Sequence, residues 1–333
     1  MSPSNRANQR ALDLRAAGWL AATMGLGAIA APALAVEMLE RPDGGRAAVD
    51  IAIDTAIDTV IDRPADSLPL AALDDIRTNG IFRVSVARRA VPLSYRYPDG
   101  RLDGYCLDLV AEIVEAITTQ LDLRRPPLVE IVTSDLGTRF DLVRDGVVHL
   151  ECGPNTIREV EGVAFSAPFL VTGMQFISER ESRLERRLSG TDLGQVGVLR
   201  DSATSEFMGD RYADTTLELF AGDEAVKRGI EALQGRLDAF ATDGLLTIGE
   251  LAIAGRSLSD YRIYPENPLL CSPYGLLLPA DEPEWQAIVD GVINSEAGAR
   301  LWAEWFGAID AYLEPAEQFC GVEVVPARAT RQP

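Results

Sequence analysis

The chain has 333 residues, 47% hydrophobic and 25% charged, an ordinary globular composition for roughly two domains. Its 51 Asp and Glu against 31 Lys and Arg give a formal charge of -20, which repels phosphate backbones and anionic membrane surfaces and excludes nucleic acid as a partner. A single histidine, His149, allows no multi-histidine metal site and only one route to Ser-His-Asp chemistry. No metal, cofactor or catalytic residue is expected.

At the N-terminus, Arg6, Arg10 and Arg15 precede the uncharged stretch AAGWLAATMGLGAIAAPALA, and Ala33 and Ala35 form an A-x-A cleavage site before Val36. Residues 1–35 therefore read as a secretory signal, and the protein as periplasmic. The stretch is long enough to span a bilayer, but its Gly and Pro content and its cleavage site favour removal over anchoring. Export leads to an oxidising compartment, where the even set Cys106, Cys152, Cys271 and Cys320 predicts two disulfides. There is no C-x-x-C spacing to support thioredoxin chemistry or a zinc ribbon. Residues 36–75, rich in Pro, Gly, Ala and Asp around the core AIDTAIDTVID, read as a low-complexity lead-in with at most a weak amphipathic helix.

From Ile76 the pattern alternates strand and helix. IFRVSVA alternates apolar residues, and the helix CLDLVAEIVEAITTQL places Val110, Ile113, Val114, Ile117 and Leu121 on one face. The strands LVEIVTS and VVHLEC flank the short helix TRFDLVRDG, and FLVTGMQFI follows. A second series runs from QVGVL through TTLELFA, EAVKRGIEALQGR, LDAFATD and GLLTIGELAIAG to YRIYP. SPYGLLLPA and two helices, EPEWQAIVDGVIN and EAGARLWAEWFG, complete the chain. This order predicts an α/β protein of two lobes: 76–178 in the first, 179–270 in the second, and 271–333 as the return to the first with the C-terminal helices. His149 reads as a strand residue, and Trp302, Trp305 and Phe306 as core anchors.

Ligands of open α/β sheets sit beyond the carboxyl ends of the strands, where four segments qualify: RRAVPLSY, GPNTIR, RDSATS and the DG after LDAFAT. Two come from each lobe. Arg, Thr and Ser on several sides with Asp243 opposite suit a zwitterion, guanidinium and hydroxyls for its carboxylate and Asp243 for its ammonium.

The segments VPLSYRYPDGRLDGYCLDL, TRFDLVRDGVVHLECGPNTIREVEGVAFSAPFLVTG, VGVLRDSATSEF, LDAFATDGLL, SPYGLLL and LWAEWFG occur in one order over about residues 76 to 308. In this the chain resembles family 3 of the bacterial periplasmic solute-binding proteins, closest to the glutamate/aspartate-binding branch. The resemblance implies a type II periplasmic-binding-protein fold with the ligand cleft between the lobes, a free L-amino acid as ligand, and an ABC transporter permease as partner of a monomer. Tyr95 resembles the first-lobe aromatic that packs on the ligand, and Arg158 the arginine that grips the α-carboxylate. Thr156 and Arg158 are two apart, one residue closer than in the commonest form, and Glu159 takes the aligned position. Gly153 and Thr156 would offer a carbonyl or hydroxyl, Ser202, Ala203 and Thr204 would complete the carboxylate cradle, and Asp243 would bind the ammonium. Arg88, Arg89 and Arg139 exceed what one α-carboxylate needs and favour glutamate or aspartate, although the branch's second-lobe histidine is missing and glutamine stays open. Cys106 is expected to pair with Cys152 within the first part of the first lobe, and Cys271 with Cys320, tying the return crossover to the C-terminal tail. The rival function is a periplasmic enzyme on the same fold, such as a cyclohexadienyl dehydratase, with Glu151 or Glu206 as its acid.

Overall fold

A computed structural model describes residues 51–53 and, apart from 98, 181, 183 and 323, residues 70–324. The signal assigned to 1–35, most of the lead-in and the last residues lie outside these. The first lobe begins with β1 (Ile51–Ile53), α1 (Ala72–Asn79), β2 (Ile81–Ala87), β3 (Tyr95–Arg96), β4 (Leu102–Asp103) and α2 (Tyr105–Gln120), and continues with β5 (Leu128–Ser134), α3 (Arg139–Arg144), β6 (Leu150–Cys152) and β7 (Val163–Phe165). After β8 (Leu170–Glu179), the second lobe contains β9 (Gln195–Leu199), α4 (Ala203–Arg211), β10 (Thr216–Phe220), α5 (Ala225–Glu231), β11 (Ala239–Asp243), α6 (Gly244–Ile253) and β12 (Tyr261–Tyr264). The chain returns through β13 (Cys271–Tyr274) and β14 (Leu277–Pro279) to α7 (Pro283–Ile293), α8 (Glu296–Phe306) and α9 (Asp310–Cys320).

Each lobe is organised on one sheet, with strand order β1-β5-β2-β6-β14-β7 in the first and β10-β9-β11-β8-β12 in the second. The central strand β2 is buried from Phe82 to Val86 because parallel neighbours flank it and helices cover both faces. The α2 face read from the sequence turns Val110, Ile113, Val114 and Ile117 into this core, where Trp285, Trp302, Trp305 and Phe306 also lie buried. Each such side chain contributes roughly 1.5–3 kcal/mol by leaving water.

Two stretches inside the 36–75 lead-in are ordered. Ile51–Ile53 forms the parallel edge strand beside β5, pairing Ile51 with Val129 and Ile53 with Ile131, and α1 begins at Ala72. The composition of the region conceals both, because the strand contributes only three residues. The crossover also falls earlier than Ser178. The first half of β8 pairs with β13 up to the Gly173–Cys271 register, whereas Met174 already pairs with Asp243 of β11. A Cβ on Gly173 would stand 2.5 Å from the Leu270 carbonyl oxygen, so only glycine lets the returning chain pass this close.

The four cysteines lie in two pairs at disulfide distance. Cys106 of α2 meets Cys152 of β6, and Cys271 of β13 meets Cys320 of α9, both with Cα atoms 5.8 Å apart. His149 closes a buried polar cluster beneath β2. Its Nε2 lies 2.8 Å from Asp75 Oδ2, Arg83 is ion-paired to the same carboxylate, and Arg83 N donates to His149 Nδ1 at 3.1 Å. Removing one member of a buried ion pair strands the other charge, so Asp75→Ala is expected to cost about 3 kcal/mol of stability. Urea unfolding checks this, and a loss below about 1 kcal/mol would show that the cluster tolerates an uncompensated Arg83.

Candidate functional site

The carboxyl ends of β2, β6, β9 and β11 converge where the two lobes face each other, and two adjoining cavities occupy that cleft. The smaller, about 30 Å³, is lined by Arg139, Thr156 and Arg158 from the first lobe and by Ser202, Thr204 and Asp243 from the second, among others. The larger, about 400 Å³, is lined by Arg88 and Arg89 on one side and by Arg200, Phe220 and Asp223 on the other. Leu136, Pro154, Leu199 and Leu246 border both, forming an apolar neck between them.

The smaller cavity brings together two buried opposite charges with unused hydrogen-bonding capacity. Arg139 opens α3 and is only 5% exposed, and its Nε and Nη1 have no hydrogen-bond partner among the described residues. Its ring contact is Phe140, 4.3 Å from the guanidinium carbon to the ring centroid. Burial lowers its pKa while the buried Glu151 opposes that shift, and a guanidinium remains charged in proteins. Asp243 ends β11, directly before α6. Burial holds its carboxyl above the ordinary value, while the Tyr274 and Ser272 hydroxyls pull it back down. Tyr274 donates to Oδ2, and Oδ1 has no hydrogen-bond partner among the described residues.

The remaining sequence-derived residues divide by what they touch. Ser202 caps α4, accepting from Ser205 N at 3.1 Å and donating to Leu199 O at 2.7 Å, so its hydroxyl is committed to the loop, while Ala203 and Thr204 begin the helix at the cavity wall. The Gly153 carbonyl accepts from Asn155 N at 2.8 Å, inside the loop that carries Thr156. Below that loop, Glu151 is fully buried between Ser134 Oγ, at 2.9 Å, and the Asn155 amide, and burial raises its pKa. Tyr95 lies in the first-lobe core on the β3–β4 hairpin, edge-on to Tyr97 at 5.3 Å, and lines neither cavity.

Arg88, Arg89 and Arg158 each reach a carboxylate of the opposite lobe. Arg89 donates from Nε and Nη2 to Glu250 at 3.0 and 2.7 Å, Arg88 Nε lies 2.9 Å from Asp223 Oδ1, and Arg158 Nη1 lies 2.9 Å from Glu206 Oε2. Nothing in the local pattern selects Glu250 or Asp223, whose roles appear only where the lobes meet. The helix carrying Glu250 approaches closely: a Cβ on Gly249 would stand 2.2 Å from the Val91 carbonyl oxygen of the first lobe.

No family model matches the chain. It is similar to the glutamate/aspartate import solute-binding protein of Escherichia coli K12, at 26% identity over 256 residues, covering 72% of this chain and 80% of that one. Among solved structures it resembles the ancestral amino acid-binding protein AncCDT-1, a precursor of cyclohexadienyl dehydratase, with a TM-score of 0.59 at 16% identity over 72% of this chain and 99% of that one. A mutant of ArgBP from T. maritima gives a TM-score of 0.58 at 18% identity, covering 73% and 99%. The fold is therefore the two-lobe α/β fold of amino-acid-binding proteins, and the curated relatives are solute-binding proteins of import systems.

The closed contact between α6 and the loop after β2 predicts that Gly249→Ala holds the lobes apart without changing any charge. Solution scattering should give a larger radius of gyration than for the unaltered protein. An unchanged radius would mean that the Val91 carbonyl yields to the added methyl.

Proposed function

We propose that this protein captures a free L-amino acid outside the cytoplasm and delivers it to an ABC importer. The observation that carries this reading is the pair of buried charges with unused capacity, Arg139 and Asp243, on opposite lobes around one small cavity. An α-carboxylate and an α-ammonium supply what each lacks, with Thr156, Arg158 and Thr204 at the same cavity wall. Export by the 1–35 signal, two oxidised disulfides, a monomeric state and a membrane permease as partner complete the reading; the import role in the name of the Escherichia coli relative supports the permease. Those relatives are named for glutamate and aspartate. The side chain of such a ligand would extend through the apolar neck toward Arg88 and Arg89.

The test is titration calorimetry with a panel of amino acids. A charge-assisted contact contributes about 1.5–3 kcal/mol, so Arg139→Ala and Asp243→Asn should each weaken binding about ten- to a hundred-fold. Unchanged affinity in both variants would remove the zwitterion site. If glutamine binds at least about ten-fold more tightly than glutamate and aspartate, the acidic preference fails while the binding-protein reading stands. Recovery of the bound amino acid unchanged separates binding from the rival dehydratase reading.

The pH dependence follows from Asp243. The ammonium binds the ionised carboxylate, whose free-site pKa is raised by burial above its ordinary value of 3.8. Affinity is therefore full above that raised value and falls as pH drops through it, by up to about ten-fold per pH unit. Calorimetry between pH 4 and pH 8 measures the slope.

A further inference from the structure

The ammonium site assigned above depends on a residue that would not itself touch the ligand. Asp243 Oδ2 accepts the hydroxyl of Tyr274, a buried side chain on β13, the strand by which the chain leaves the second lobe. The backbone around Tyr274 is fixed to the first-lobe loop after β6. Thr156 bridges to Tyr274, Ile157 N donates to Pro273 O at 2.8 Å, and Gly275 N donates to Asn155 O at 3.1 Å. Phe169 N donates to Tyr274 O at 2.9 Å on the other side. One tyrosine thus joins the loop that would meet the ligand's carboxylate to the carboxylate that would meet its ammonium.

The surroundings of Asp243 leave few other controls. From β13 it faces Tyr274 and the Ser272 hydroxyl, and from α9 the partly buried Tyr312, whose hydroxyl donates to Gln175 of β8. The positive groups at the cavity are Arg139 and Arg158, and Arg158 is ion-paired with Glu206 of α4. No ion pair joins Asp243 to an arginine among the described residues. A carboxylate this buried retains its charge only through hydrogen bonds, and the tyrosine hydroxyl supplies one directly.

We propose that Tyr274 is a positioning residue for ligand binding: its hydroxyl holds Asp243 ionised and directs the other carboxylate oxygen to the ligand's ammonium, so that Tyr274 sets the lower pH limit of binding. The inference rests on the amino-acid-binding reading. It makes Tyr274 distinct from Tyr312, which lies close by but gives its hydroxyl to Gln175.

The experiment is calorimetry from pH 4 to pH 8 on the full exported chain and on Tyr274→Phe, with L-glutamate as the probe and L-glutamine beside it because its side chain does not titrate. Phenylalanine keeps the ring and removes the hydroxyl. The midpoint for loss of affinity on acidification should move up by about one pH unit, with affinity at pH 8 within about three-fold of the unaltered protein. Tyr312→Phe should leave the midpoint in place. If Tyr274→Phe fails to fold, Ser272→Ala should raise the midpoint in the same direction. An unaltered protein that titrates, with a Tyr274→Phe variant that weakens equally at every pH, overturns this inference alone. An unaltered protein whose affinity is flat down to pH 4, or which binds neither probe, overturns the ammonium reading of Asp243 and this inference with it.

Discussion

Everything at the cleft follows from the cost of withdrawing ionised groups from water without giving them a partner. A guanidinium and a carboxylate are both buried at one small cavity, and neither has its hydrogen-bonding capacity filled. Such groups persist in a folded protein when a network holds them and something outside the chain completes them. The network is visible on both sides. Ser134, Glu151 and Asn155 lie beneath the Arg139 wall, and Tyr274 and Ser272 brace Asp243. Cys152 directly follows Glu151 and Cys271 directly precedes Ser272, so each close cysteine pair lies next to one half of the network.

Much of the fold was legible because its signals are local. The α2 stripe, the alternation of β2 and the order of strand and helix all come from side-chain periodicity, which depends on no distant contact. The short edge strand at Ile51–Ile53 was not legible, since three residues within an Ala- and Asp-rich repeat carry too little pattern. Asp243 stood out in the sequence because it sits at a strand end before a helix, where capping and ligand binding make the same demand on an acid. The distinction among Arg88, Arg89, Arg139 and Arg158 depends on which acids the second lobe brings opposite them, and no spacing within the chain encodes that. Tyr274 was hidden for the same reason. Its hydroxyl matters because of a partner 31 residues away, and within SPYGLLL it reads as an ordinary strand aromatic.

The charge arrangement across the cleft bears on how an acidic side chain would be received. Arg88–Asp223, Arg89–Glu250 and Arg158–Glu206 join the lobes, so three of the four sequence-nominated arginines are neutralised without any ligand. These bridges differ in what they would release. The Glu250 side chain is only 5% exposed and grips Arg89 through two hydrogen bonds, so separating that pair would strand a buried carboxylate. Arg88 and Asp223 are 37% and 52% exposed, a setting in which an ion pair contributes at most about 1 kcal/mol. A second carboxylate passing the apolar neck would therefore take Arg88 from Asp223, which solvent can then hydrate, and leave the Arg89–Glu250 bridge intact. On this ordering, Arg139 and Asp243 would account for the common head of an amino acid, Arg88 would be the exchangeable charge that reads its side chain, and Arg89 would keep the lobes together while it does so.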